Sequence, residues 1–116
     1  MSDYPETAKA VSSGAAALRQ AHPELMAAFA GLGKAAYADG ALDHKTKELI
    51  ALAISVTVRC DGCVAAHGRS VQQLGASRQE VVEAIGVAVH MGGGPSMVYG
   101  AEALRAYDAF AAKGAT

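Results

Sequence analysis

The sequence predicts an all-α domain of about five to six helices, and three observations carry that prediction. Its residues are 52% hydrophobic but only 5% aromatic, and much of the apolar count is alanine. That composition suits closely packed helices better than a sheet built from large side chains. Apolar residues recur at spacings of three and four in most of the chain, and polar residues of the capping type stand where the apolar runs begin.

Taken in order, Glu6 to Gln20 is alanine-rich and reads as a helix weakened by Ser12-Ser13-Gly14. His22-Pro23-Glu24 places proline where a first helical turn tolerates it. Leu25, Met26, Phe29, Leu32 and Ala36 then follow at helical spacing up to a stop at Ala38-Asp39-Gly40. Asp43 is positioned to cap a third helix, which starts with His44, Lys45, Thr46, Lys47 and Glu48 and runs apolar from Leu49 to Val58. That run is shorter than the roughly 20 residues a bilayer requires, so it reads as a buried central element. The stretch from Cys60 continues through Val71 and Leu74 to a glycine stop at Gly75. Ser77-Arg78-Gln79-Glu80 is a capping box that launches Val81, Val82, Ile85, Val89 and Met91. Gly92-Gly93-Gly94-Pro95 ends that helix; without a following Gly-Lys-Ser/Thr it is a turn and not a phosphate loop. Ser96 is the expected cap of a last helix through Ala101, Leu104, Tyr107 and Phe110 to Gly114.

One passage has a rival reading. Ile54-Ser55-Val56-Thr57-Val58-Arg59 alternates apolar and polar with β-branched residues, as a half-exposed strand does. A strand followed by Cys-x-x-Cys and a helix is the order of a thioredoxin-like site. Against it, the only other β-branched cluster, Val81 to Val89, follows a helix start, which leaves such a strand little to pair with.

At 116 residues the expected organisation is a single domain, 1–116. The formal charge is −1 with lysine and arginine dispersed, which argues against nucleic acid as a partner. No basic segment precedes an apolar run at the start, and no run is long enough for a membrane, so the expected compartment is the cytoplasm. There, two cysteines spaced Cys-x-x-Cys point to catalysis or metal binding more than to a structural disulfide. The two most apolar segments, Leu49 to Val58 and Val81 to Met91, are too much apolar surface for so small a chain to hide alone. Subunit contacts, in a trimer or hexamer, are expected to cover part of it.

The chemistry concentrates in Cys60-Asp61-Gly62-Cys63-Val64-Ala65-Ala66-His67, with Glu48 twelve positions upstream. On a helix, 100° per residue brings Cys60, Cys63 and His67 within about 60° of one another on one face. A first cysteine that opens a helix has unpaired N–H groups and the positive dipole end beside it, which favour thiolate. His67, one turn beyond Cys63, can take its proton or stand beside it as imidazolium. This set predicts reversible cycling between dithiol and disulfide, with no cofactor.

Plainer readings stand beside these. Two cysteines, a histidine and a glutamate also form a zinc donor set, although three ligands on one helical face suit local disulfide closure better than a tetrahedron. Cys60 and Cys63 as inert apolar residues fit poorly with Asp61-Gly62 between them. His67 also reads as a solvated histidine, and Glu48 as a first-turn carboxylate favoured by the helix dipole. His22 and His44 are expected in solvent, His90 in the core or an interface. Tyr37, Tyr99 and Tyr107 fit amphipathic faces without special roles.

A lone Cys-x-x-Cys is a weak signal, but Glu48, eleven residues, Cys60-x-x-Cys63, three residues and His67 together are specific. With Leu42-Asp43-x-Lys45-Thr46-Lys47-Glu48-Leu49, Gly75-Ala76-Ser77 and the Gly92-Gly93-Gly94-Pro95 turn, the chain from Pro23 to Phe110 resembles the AhpD-like alkylhydroperoxidase branch of the carboxymuconolactone decarboxylase superfamily. The resemblance implies an all-α fold, hence helix rather than strand at Ile54 to Arg59, and trimeric or hexameric assembly. It further implies peroxidase or thiol-disulfide reductase activity. In that chemistry Cys63 forms the sulfenic acid, Cys60 resolves it, Glu48 and His67 relay protons, and a lipoyl or thioredoxin-like dithiol protein is the reductant of a hydroperoxide substrate. The lipoate-linked members carry histidine just before the second cysteine, where this chain has Gly62. Two alternatives are a lactone decarboxylase of aromatic breakdown, which needs no dithiol, and a non-enzymatic module whose disulfide alters assembly.

Overall fold

The computed structural model describes residues 2–114, and among them there is no strand. Six helices follow one another: α1 (Tyr4–Ala21), α2 (Pro23–Tyr37), α3 (His44–Thr57), α4 (Asp61–Gln73), α5 (Arg78–Gly92) and α6 (Gly94–Gly114). None is long and apolar enough to cross a membrane, among the described residues.

Local chemistry sets most of the boundaries. The Asp3 and Asp43 carboxylates accept from the N–H groups of Glu6 and Thr46 and so cap α1 and α3. Ser77 and Glu80 satisfy each other's backbone N–H in a capping box at the start of α5, and Pro23 sits in the first turn of α2. Ser12-Ser13-Gly14, read as a weakening of the first helix, does not break it: α1 runs through all three on its solvent side. Ser96 is not the cap of the last helix. α6 already starts at Gly94, and Ser96 lies buried in its first turn against Gly92, where a Cβ would collide with its hydroxyl.

The passage Ile54 to Arg59 is helical to Thr57 and then turns. The two polar residues that gave it a strand-like alternation turn their hydroxyls back onto the helix: Ser55 donates to the Ala51 carbonyl (2.7 Å) and Thr57 to Ala53 (3.1 Å). The turn is a Schellman motif, with the Cys60 N–H on the Ser55 carbonyl (3.1 Å) and the Arg59 N–H on Val56 (3.2 Å). The same motif ends α4, with Ala76 on Val71 and Gly75 on Gln72. Its left-handed position is filled by Gly75 (φ 80°) there and by Arg59 (φ 57°) here, so the chain enters the cysteine helix through a conformation that side chains resist.

The core lies among α3, α4, α5 and α6, where Leu52, Val56, Val64, Val71 and Val81 are fully buried. Each such side chain contributes about 1.5–3 kcal/mol relative to exposure. Small residues let the helices approach: a Cβ on Gly100 of α6 would lie 2.6 Å from Ile85 of α5, and one on Gly68 of α4 would lie 3.3 Å from Ala106 of α6. Tyr107 ties the layers together by donating to the Ala76 carbonyl at 2.7 Å. Not everything apolar is covered. α2 has no buried residue, its Phe29 and Leu32 are each 66% exposed, and an open groove of about 430 Å³ between α3 and α5 is lined by Ile50, Ile54, Val58, Val87 and Met91.

Candidate active site

The turn after α3 delivers Cys60 as the N-cap of α4, and its sulfur accepts from the Cys63 N–H at 3.2 Å. One turn in, Cys63 stands beside it, and the two form a disulfide across a Cα–Cα distance of 5.1 Å. Both sulfurs are thereby withdrawn from metal binding in this state.

The first turn of α4 is held from two sides. Asp61 accepts from the Tyr4 hydroxyl of α1 at 2.9 Å, and the Arg105 guanidinium of α6 lies 5.0 Å over the Tyr4 ring. Tyr4 is buried next to a carboxylate, and first burial and then Asp61 push its phenol well above the usual tyrosine range. Gly62 lies under α1, where a Cβ would come within 3.0 Å of the Val11 side chain. A larger residue between the cysteines would therefore press on the Val11 side chain, which would have to give by a few tenths of an ångström.

His67 lies a further turn along α4. Its Nδ1 makes a 2.6 Å hydrogen bond with Oε2 of Glu48, whose side chain is only 8% exposed. Glu48 is in the second turn of α3, not the first, so the dipole reading does not describe it; it points across to α4. Because α3 and α4 pack along their lengths, a spacing of nineteen residues in sequence closes to one short contact. Glu48 holds Nδ1 and leaves Nε2 of His67 for proton exchange.

Two further residues belong to this cluster. His44 is 44% exposed, in keeping with its expected solvated position, and its Nε2 also stands 3.6 Å from Oε1 of the same Glu48, four residues along α3. The signal for it was present in the sequence, since positions i and i+4 share a helix face. Tyr37, at the end of α2, sets its ring 6.0 Å from His44 and 6.1 Å from His67. Burial, reinforced by the Glu48 charge, raises its phenol above the ordinary value. Nothing local to the sequence marks Tyr37, because the turn between α2 and α3 brings it in. The other histidines stay outside: His22 pairs with Glu24 at 3.5 Å, and His90 is exposed at the end of α5.

The fold has counterparts among solved structures. A crystal structure of a carboxymuconolactone decarboxylase family protein from Legionella pneumophila superposes with a TM-score of 0.92 at 46% identity, covering 93% of this chain and 96% of that one. A Thermotoga maritima member of the family, whose description raises involvement in an antioxidative response, gives 0.67 at 31% identity over 82% and 87% of the two chains. An uncharacterized protein of Cupriavidus necator is 43% identical over 93 residues, 80% of this chain and 82% of its own. The model of the carboxymuconolactone decarboxylase family matches residues 23–106, which span α2 to the middle of α6 and hold Glu48, both cysteines and His67. By family model, by sequence and by structure, the chain belongs to the carboxymuconolactone decarboxylase family.

Proposed function

We propose that the protein is a cytoplasmic, thiol-dependent hydroperoxide reductase or disulfide reductase, one domain over 1–116, that works through Cys60 and Cys63. The observation that carries this reading is a disulfide between Cys60 and Cys63 on the helix whose next turn presents His67, itself held by a buried carboxylate. His67 accepts the Cys63 proton at Nε2 while Glu48 stabilises the imidazolium from Nδ1. The Cys63 thiolate attacks the O–O bond, forming S–O as the alkoxide leaves, and His67 returns a proton to release the alcohol. Cys60 then attacks the sulfenic sulfur, forming the disulfide and releasing water. A lipoyl or thioredoxin-like dithiol restores both thiols and becomes a disulfide itself.

The exposed apolar side of α2 and the α3–α5 groove support assembly into a homotrimer or homohexamer. The deciding experiment follows peroxide consumption with lipoyl, thioredoxin and glutathione donors in turn. Multiple turnovers that are lost in Cys63→Ser are expected. A single round of oxidation with every donor overturns the reading in favour of a redox-responsive module.

A further inference from the structure

The Glu48 carboxylate has a partner on each oxygen: His67 on Oε2 at 2.6 Å and His44 on Oε1 at 3.6 Å. The three side chains differ sharply in access to solvent, at 8% exposed for Glu48, 25% for His67 and 44% for His44. One negative charge neutralises one imidazolium. A second proton on the trio therefore leaves an uncompensated positive charge in a partly buried place, so the two rings compete for one carboxylate. His44 is the member that exchanges freely with bulk water.

We propose that His44 is a positioning residue that tunes the site through this shared carboxylate. When His44 is neutral, the whole charge of Glu48 serves His67. When His44 is protonated, it takes part of that charge and weakens the hold of His67 on a proton. The inference deepens the peroxidase reading and uses the same His67–Glu48 pair. It predicts that the charge carried at position 44 changes how readily His67 accepts a proton.

The surroundings leave the shared carboxylate as the channel for this effect. From α2, the Tyr37 ring faces both histidines, and its raised phenol keeps it uncharged. Asp39, in the turn before α3, is engaged by the His44 backbone N–H at 2.7 Å. Lys45 is paired with Glu80 of α5 at 3.0 Å, and Lys47 donates to the Ala38 carbonyl. From α4 the facing group is His67 itself.

The test is made on the oxidised protein without peroxide, so it stands apart from the question of turnover. Ring resonances of His67 are followed by NMR against pH in the native protein, His44→Gln and His44→Lys, with helicity checked by circular dichroism. Gln removes the competing charge and is expected to move the His67 midpoint up by about 0.4 pH unit, the scale of one charge about 7 Å away, across the carboxylate, in water. Lys makes the charge permanent and is expected to move it down by a similar amount. An unchanged midpoint in both variants, or a shift in the same direction in both, as simple loosening of Glu48 would give, overturns the proposal.

Discussion

Replacing Glu48 with Gln removes a charge from the centre of the site while keeping its shape and one acceptor oxygen. The side chain is 8% exposed and its bond to His67 Nδ1 is 2.6 Å, so solvent does little to replace the lost charge. Hydrogen bonds to charged groups contribute about 1.5–3 kcal/mol against about 0.5–1.5 for neutral ones, a difference near 1–1.5 kcal/mol. At 1.36 kcal/mol per pH unit, this corresponds to about one unit. A free thiol has its midpoint near 8.5, and Cys63 lies farther from the helix terminus than Cys60, so it depends on His67 for activation. The pH profile of iodoacetamide labelling of Cys63, measured in a Cys60→Ser background, is therefore expected to move up by about one unit in Glu48→Gln, with labelling at pH 7 about tenfold slower. His67→Gln should act similarly, and the double variant should cost much less than the sum, as residues acting in one chain do. Unshifted profiles in both single variants would refute the relay.

Three other perturbations probe the frame around the site. Unfolded, Tyr4 ionises near pH 10, whereas in the fold it holds its proton to higher pH. The native state then binds more protons above pH 10, and stability is lost as pH rises through that range; Tyr4→Phe should flatten this alkaline fall in Tm while lowering stability at neutral pH. Arg59→Gly at φ 57° relieves a left-handed cost of about 1–2 kcal/mol against an entropic penalty of about 0.5–1, so urea midpoints should rise by a net stabilisation of about 0.5–1 kcal/mol. Phe29→Asp and Met91→Asp place charges on the exposed apolar surfaces and should shift light scattering behind a sizing column toward the monomer; a native protein already monomeric at micromolar concentration would contradict the proposed assembly.

What could be read in advance was what rests on local chemistry. Asp43 and Ser77 cap helices because a carboxylate or hydroxyl reaches N–H groups three residues away, and that reach is visible in the sequence. Cys63 and His67 share a face because helical period places them so, Cys60 meets Cys63 from the N-cap just outside the helix, and Glu48 is marked only by its family spacing. His44 stands at an ordinary helical offset from Glu48, but a histidine among polar neighbours at a helix start reads as solvated, and the offset alone does not mark its pairing. Tyr37 was out of reach, since the path of the α2–α3 turn decides where its ring goes. Ile54 to Arg59 shows tertiary packing overriding propensity: Val56 is in the core, while Ile54 and Val58 lie on the open groove, so the alternation is that of a helix with one buried side.

The attachment of the chain's first turn to α4 also fixes where a fused protein would arrive. Ser2 donates to Asp61 at 3.3 Å and its carbonyl accepts from Arg105 at 2.6 Å, so the backbone at Ser2 is anchored beside the residue that follows Cys60. Gly114, in contrast, packs near Gln72, roughly 18 Å farther along the axis of α4 at 1.5 Å per residue. A dithiol domain tethered ahead of Ser2 by a short flexible linker would be held near the disulfide at an effective concentration in the millimolar range. The same linker after Gly114 would have to span the length of the helix first.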